Sequence, residues 1–311
     1  MKVTQILGSL AAALLCFACG DGPIQQGPIK RPGQANVVSL DDDWRFVRYG
    51  LQADGTRVEE PEGMFEVDAD DSAWEKLDVP HDFAIQGPFR MDLSGNTGRL
   101  PYQGIGWYRK TFKVDEADRG KRFYVDFDGV MAYAKVWLNG EYVGTWPYGY
   151  NSFRLDLTPF VKVGEHNVLA VRTDTEKWES RWYPGAGIYR HVWLVKTGQV
   201  HVSHWGTKME ATNLTEKTAD LHFSVTVENH LDEETDAVVK TSVYELDSLD
   251  CLGKRVLSFS DQTLKLAPQG SGKIDLQETL TDCKRWDIES PNRYMACVTI
   301  QVDGQETDRY F

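Results

Sequence analysis

Residues 181–194 read RWYPGAGIYRHVWL, a guanidinium and two aromatic rings set directly before a Pro-Gly-Ala-Gly turn. Arg181 carries a planar fork of N–H donors, suited to hydrogen bonding in a fixed geometry. Trp182 and Tyr183 are large rings that either fill a core or offer a stacking face to a flat apolar ligand surface. Their types alone leave both readings open. Gly185 and Gly187 provide the positive φ angles that a tight turn needs. A guanidinium and two large rings are more than a plain connector needs, so what the loop presents is the question the sequence raises.

Other chemistries find no footing. There is no GxSxG, HExxH or GxxxxGK[ST] pattern, so serine hydrolase, zincin and P-loop mechanisms have no support. No CxxC or Cys/His cluster is present, and no zinc site is expected. The runs Asp41-Asp42-Asp43 and Asp70-Asp71 offer oxygen ligands, but such runs usually form solvated turns, so neither a metal nor a cofactor is expected. With 47 acidic against 34 basic residues the formal net charge is −13, which argues against nucleic acid or an anionic membrane surface as a partner.

The elements that must hold the loop are strands. In RFYVDFDGVMAYAKVWLNGEYVGTW, residues 122–146, Phe123, Val125 and Phe127 alternate with Tyr124, Asp126 and Asp128. Ala134, Val136 and Leu138 alternate with Lys135 and Trp137, and Asn139-Gly140 predicts a two-residue hairpin turn into Tyr142-Val143-Gly144. SFRLDLTPFV alternates again, HNVLAVRTD (166–174) reads as a strand covered on both faces, and HVWLVKTG closes the region near residue 198. From about residue 199 the texture changes. Leu221, Phe223, Val225 and Val227 mark one strand face, and AVVKTSVYELD, KRVLSF, KIDLQETL and YMACVTIQVDG follow. With no internal repeat and no βα alternation, the chain reads as all-β, with a larger domain at 37–198 and a smaller immunoglobulin-like sandwich at 199–311.

The N-terminus reads differently. Lys2 and the apolar run Ile6–Phe17 have the form of a secretory signal peptide, too short to span a bilayer. The run closes on Phe17-Ala18-Cys19-Gly20, which resembles a bacterial lipoprotein cleavage box with Cys19 as the lipid-carrying residue; ordinary cleavage near Ala18 is the alternative. The expectation is an exported, membrane-anchored lipoprotein, periplasmic or at the cell surface, with a signal at 1–18 and a flexible Gly/Pro/Gln-rich tether at 19–36. Cys251, Cys283 and Cys297 are expected to be packing thiols, with one disulfide at most between them.

Several segments together carry a family resemblance: WRFVRYG, WEKLDVPHDFAIQGPF (74–89), GIGWYRKTFKV (104–114), the VWLNGEYVG hairpin and RWYPGAGIYRHVWL. In this order they resemble the N-terminal sugar-binding jelly-roll domain of glycoside hydrolase family 2, the β-galactosidase and β-glucuronidase family. The region through ESPNRYMACVTI resembles the immunoglobulin-like domain that follows it there. The resemblance implies that a few jelly-roll loops border a sugar pocket built on a (β/α)₈ barrel. It places Asp82, in VPHDF, where β-galactosidases carry an Asn touching the sugar, and Arg181 where they carry an Asp. Both identities depart from that pattern, so what carries over is position. Asp82 can accept from sugar hydroxyls or can simply close a turn after Pro80. Arg181 can donate, and Trp182 or Tyr183 can stack on a sugar ring. Trp146, Tyr148 and Tyr150 read as packing at the sandwich edge.

Retaining glycosidases use two carboxyl groups about 5 Å apart. The resemblance implies two barrel Glu residues, one following an Asn, yet the sequence holds no Asn-Glu dipeptide and no βα alternation. No catalytic residue is therefore assigned. The expectation is the non-catalytic N-terminal part of a β-galactosidase-like exo-glycosidase, its partners a β-galactoside or related glycan and a barrel outside this chain. The alternative is a free-standing carbohydrate-binding lipoprotein.

Overall fold

The computed structural model describes residues 31, 33–177 and 180–311. The expected signal at 1–18, Cys19 and the tether up to Lys30 lie outside the described residues.

The first sandwich opens with β1 (Val37–Ser39), β2 (Trp44–Leu51), β3 (Arg57–Val58), β4 (Glu75–Leu77) and β5 (Ile105–Lys113). It continues with β6 (Arg122–Phe127), β7 (Ala134–Leu138), β8 (Glu141–Trp146), β9 (Phe153–Asp156), β10 (His166–Asp174) and β11 (Val192–Thr197). One sheet runs β1-β11-β6-β9; the other runs β3-β2-β5-β10-β7-β8, with β4 beside β2. Phe123, Val125 and Phe127 of β6 meet Val136 and Leu138 of β7 and Leu169 and Val171 of β10 between the sheets. Each such side chain contributes about 1.5–3 kcal/mol on burial. Asn139 and Gly140 take φ of 54° and 85°, the two positive angles the hairpin from β7 to β8 requires.

β10 is covered on both faces, as its apolar run predicts. Ala170 lies on the face away from the core, packed in a second cluster with Trp74, Ile105 and Trp107 and lidded by Met64 and Phe65. The acidic runs are absorbed into turns and pairs: Asp41 accepts from the Val192 N–H at 2.9 Å, and Asp71 pairs with the buried Arg109 at 2.9 Å.

The second sandwich contains β12 (Val200–Thr212), β13 (Thr218–Asn229), β14 (Thr235–Leu246) and β15 (Leu252–Ser258). It ends with β16 (Gln262–Leu266), β17 (Ser271–Thr281), β18 (Arg293–Val302) and β19 (Gln305–Tyr310). Its sheets are β12-β13-β17 and β15-β14-β18-β19, with β16 beside β14. Leu221, Phe223, Val225 and Val227 all point into its core. Cys297 is buried, Cys251 and Cys283 are half-buried, and all three are free thiols.

The two sandwiches share a polar seam. Tyr124 and Asp126 sit on the face of β6 turned away from the core, yet are only 8% and 2% exposed. Arg154 donates twice to Asp126, at 2.6 and 2.9 Å, and Arg31 donates once at 3.0 Å. Gln34 donates to the Val202 carbonyl at 2.9 Å, and Asp308 accepts the Val202 N–H at 2.9 Å. Gly33 and Phe311 exchange two N–H···O bonds of 2.8 Å, and Ala35 donates to Arg309 at 2.7 Å, which lays the first described residues along β19.

Candidate sugar-facing loop

The loop at 181–188 is held from two sides. On one side His81 donates its backbone N–H to Ile188 at 2.7 Å, and Phe83 donates to Ala186 at 3.1 Å. On the other, Met131 and Gly187 exchange backbone bonds of 2.9 and 2.8 Å. Gly185 and Gly187 have φ of +80° and +105°, where side chains are strained. At Gly187 a Cβ would fall on the Tyr108 hydroxyl and 3.0 Å from the His81 carbonyl oxygen. Tyr108 is fully buried, and its hydroxyl stands 2.9 Å from Nδ1 of His81. Burial pushes the Tyr108 pKa up and the His81 pKa down, so both groups stay neutral at pH 7.

Asp82 is the brace of this arrangement. Its Oδ1 accepts from Ala84 N–H at 3.0 Å and Ala186 N–H at 3.1 Å, while Oδ2 accepts from the Tyr183 hydroxyl at 2.7 Å. A carboxylate has about four acceptor positions, so one remains, on Oδ2. The missing Cβ of Gly185, which would stand 3.3 Å from Oδ2, leaves that oxygen room. Asp82 thus closes a turn and keeps an acceptor as well. Tyr183 is half-buried against the core, and burial together with the Asp82 carboxylate raises its pKa, so it remains a donor.

Trp182 is the ring that faces outward, 57% exposed. Its Nε1 donates to the Tyr150 hydroxyl at 2.7 Å, which fixes the indole while leaving its surface open. Tyr150 in turn meets Tyr148 edge-on at 5.6 Å, and Tyr148 is exposed. Arg181 is exposed at the same end of the loop. The structure therefore brings Asp82 and Tyr183 together beneath the loop and leaves Arg181 and Trp182 on top. Trp146 packs on Phe153 as expected of an edge residue. Tyr148 and Tyr150 do more than edge packing, since they extend the aromatic surface around Trp182. The short spacing of rings in WPYGY was the available signal, but the partner across 32 residues was not.

The first sandwich and its loop match a sequence profile described as glycosyl hydrolases family 2, sugar binding domain, over residues 37–198. A second profile, glycosyl hydrolases family 2, matches residues 200–311. The chain is 40% identical over 274 residues to a β-galactosidase of Bacteroides ovatus, covering 86% of this chain and 30% of that protein. It is 37% identical over 239 residues to a putative β-glucuronidase of Formosa agariphila, covering 76% of this chain and 22% of that protein. Among solved structures, a glycosyl hydrolase family 2 member from Bacteroides cellulosilyticus superposes with a TM-score of 0.78 at 29% identity, over 88% of this chain and 34% of the other. The chain thus spans less than a third of the length of these two curated relatives. By two consecutive profile matches and by fold, this chain belongs to glycoside hydrolase family 2.

Proposed function

We propose that this chain is the non-catalytic N-terminal part of a β-galactosidase-like exo-glycosidase, in which the loop at 181–188 forms one wall of the sugar pocket. The observation that carries this reading is the exposed Trp182 indole, pinned by Tyr150 above a loop that Asp82 locks from below. A ring fixed by its N–H and open on its surface suits stacking against the C–H side of a sugar. Arg181 would donate to hydroxyls, and the remaining acceptor on Asp82 would receive one. Cleavage itself, a retaining hydrolysis, would rest on a carboxylate pair supplied by a barrel outside these residues.

The test is complementation. The chain alone should leave a chromogenic β-galactoside intact, and a separately produced barrel portion should become active when this chain is added. Hydrolysis that tracks the concentration of the chain by itself would overturn the reading. The second reading, a free-standing sugar-binding module, draws on the same exposed indole. It would be favoured by saturable binding of galactosides to the chain alone, with a native polypeptide no longer than these 311 residues. We further propose that the mature protein is anchored through a lipid on Cys19, which mass spectrometry of its N-terminal peptide would test.

A further inference from the structure

A cluster remote from the loop lies on the seam. His201 and Glu228 are direct cross-strand partners on β12 and β13. His230 follows Glu228 by two residues, which sets it on the same side of the chain. The nitrogen and oxygen atoms that these three offer all lie within 4.8 Å of one another. His201 is almost fully buried, whereas Glu228 and His230 are partly exposed.

Hydrogen bonding fixes the tautomer of His201. Its Nδ1 stands 3.1 Å from the Gly198 carbonyl oxygen, which can only accept. Nδ1 therefore carries the proton, and Nε2 presents a lone pair. That lone pair faces Oε2 of Glu228 at 3.6 Å, a second acceptor. Nε2 and Oε2 both present lone pairs, and a positive centre placed between them would join the two. The Tyr124 hydroxyl reaches Nε2 only at 3.3 Å, while His230 Nε2 stands 3.0 Å from the same Glu228 oxygen. The neighbouring cations are already paired, Arg122 with Asp156 and Arg154 with Asp126.

We propose that His201, Glu228 and His230 form a binding site for a divalent first-row transition ion, with Zn²⁺ the best match to the donor set. Two imidazoles and one carboxylate, with a fourth position left to water, is a donor set zinc accepts, whereas Ca²⁺ and Mg²⁺ prefer oxygen throughout. The bond from His201 to the Gly198 carbonyl is the kind of outer contact that orients a metal-bound imidazole. The two rings lie 8° from parallel with centroids 5.1 Å apart, so one of them must turn to aim at a common point. That ring is His230, one residue beyond the end of β13, while His201 and Glu228 are fixed by the ladder. The ion would tie β12 to β13 just behind the contact with Tyr124 of the first sandwich.

The full chain, stripped with a chelator, is titrated with Zn²⁺ by calorimetry, and retained zinc is counted after gel filtration. About one equivalent should remain, and Zn²⁺ should raise the melting temperature. His230→Ala and Glu228→Gln should each weaken binding roughly tenfold or more. His222→Ala, which removes a half-buried histidine elsewhere on β13, should leave it unchanged. Should Glu228→Gln fail to fold, His230→Ala carries the test, because its side chain is partly exposed. Retention below about a tenth of an equivalent, or wild-type affinity in His230→Ala, overturns the proposal.

Discussion

Tyr183 and Asp82 stand 101 positions apart in the chain and 2.7 Å apart in space, hydroxyl against carboxylate. The same carboxylate also holds the backbone of Ala84 and Ala186, so one side chain sets the shape of the loop. Asp82→Ala removes three bonds to a charged acceptor and should cost about 2–4 kcal/mol, less than their sum because the loop relaxes. Tyr183→Phe should cost about 1–2 kcal/mol, and the double variant should be less destabilised than the two single changes added together. Urea denaturation measures all three. An Asp82→Ala protein as stable as wild type would release Asp82 from its bracing role.

Gly187 should be the least replaceable residue of the loop. Alanine there would meet the buried Tyr108 hydroxyl in a backbone conformation with φ of +105°. A loss of about 3 kcal/mol or more, or no soluble protein, is expected. A thermal melt within a degree or two of wild type would contradict this packing.

Trp182 should separate stability from function. Because the ring is more than half exposed, Trp182→Ala should change stability by less than about 1 kcal/mol. Glycan affinity, or the activity of the assembled enzyme, should fall roughly tenfold through the lost stacking face. Equal losses in both quantities would mean that the indole supports the fold and not the ligand.

Asp308 predicts a pH dependence of unusual sign. It is buried, accepts the Val202 N–H, and burial pushes its pKa up to about 8. An unfolded aspartate titrates near 3.9. Between about pH 4 and pH 8 the folded chain thus holds more of this proton than the unfolded chain, and this group's contribution to stability falls as pH rises through that window. Asp308→Asn cannot titrate. Its melting temperature should therefore gain on wild type between pH 5 and about pH 8.5. A constant difference across that range would show that Asp308 is ionised in the fold.

Local patterns made much of this fold readable, and the failures have identifiable causes. β6, β7 and β13 announce themselves because one face of each is apolar at a spacing of two residues, β10 by its continuous apolar run, and Asn139-Gly140 states its own turn. β12 does not, because its register with β13 shifts between Val202 and Thr207 and its outer half is exposed. β19 reads QETDRY, a polar stretch whose burial comes from the seam and from β18. The site divides in the same way. Gly185 and Gly187 follow from residue type, whereas the exposure of Trp182, its partner Tyr150 and the brace from Asp82 depend on contacts across the fold. His201 and Glu228 are 27 positions apart, and only the register of β12 on β13 makes them neighbours.

The bonds between Gly33 and Phe311 bear on how the protein is made. During synthesis the segment at 33–36 emerges before any strand of either sandwich, while its partner strand, β19, emerges after every other strand of the two. That edge must wait as unpaired backbone through the translation of both sandwiches, a contact of the greatest sequence separation and therefore a slow one. The first sandwich can bury its own core in the meantime, but the polar face of β6 stays wet until the second arrives. Sealing the seam around Asp126 and Asp308 thus waits on β19, and until it emerges the two nascent sandwiches are loosely strung units.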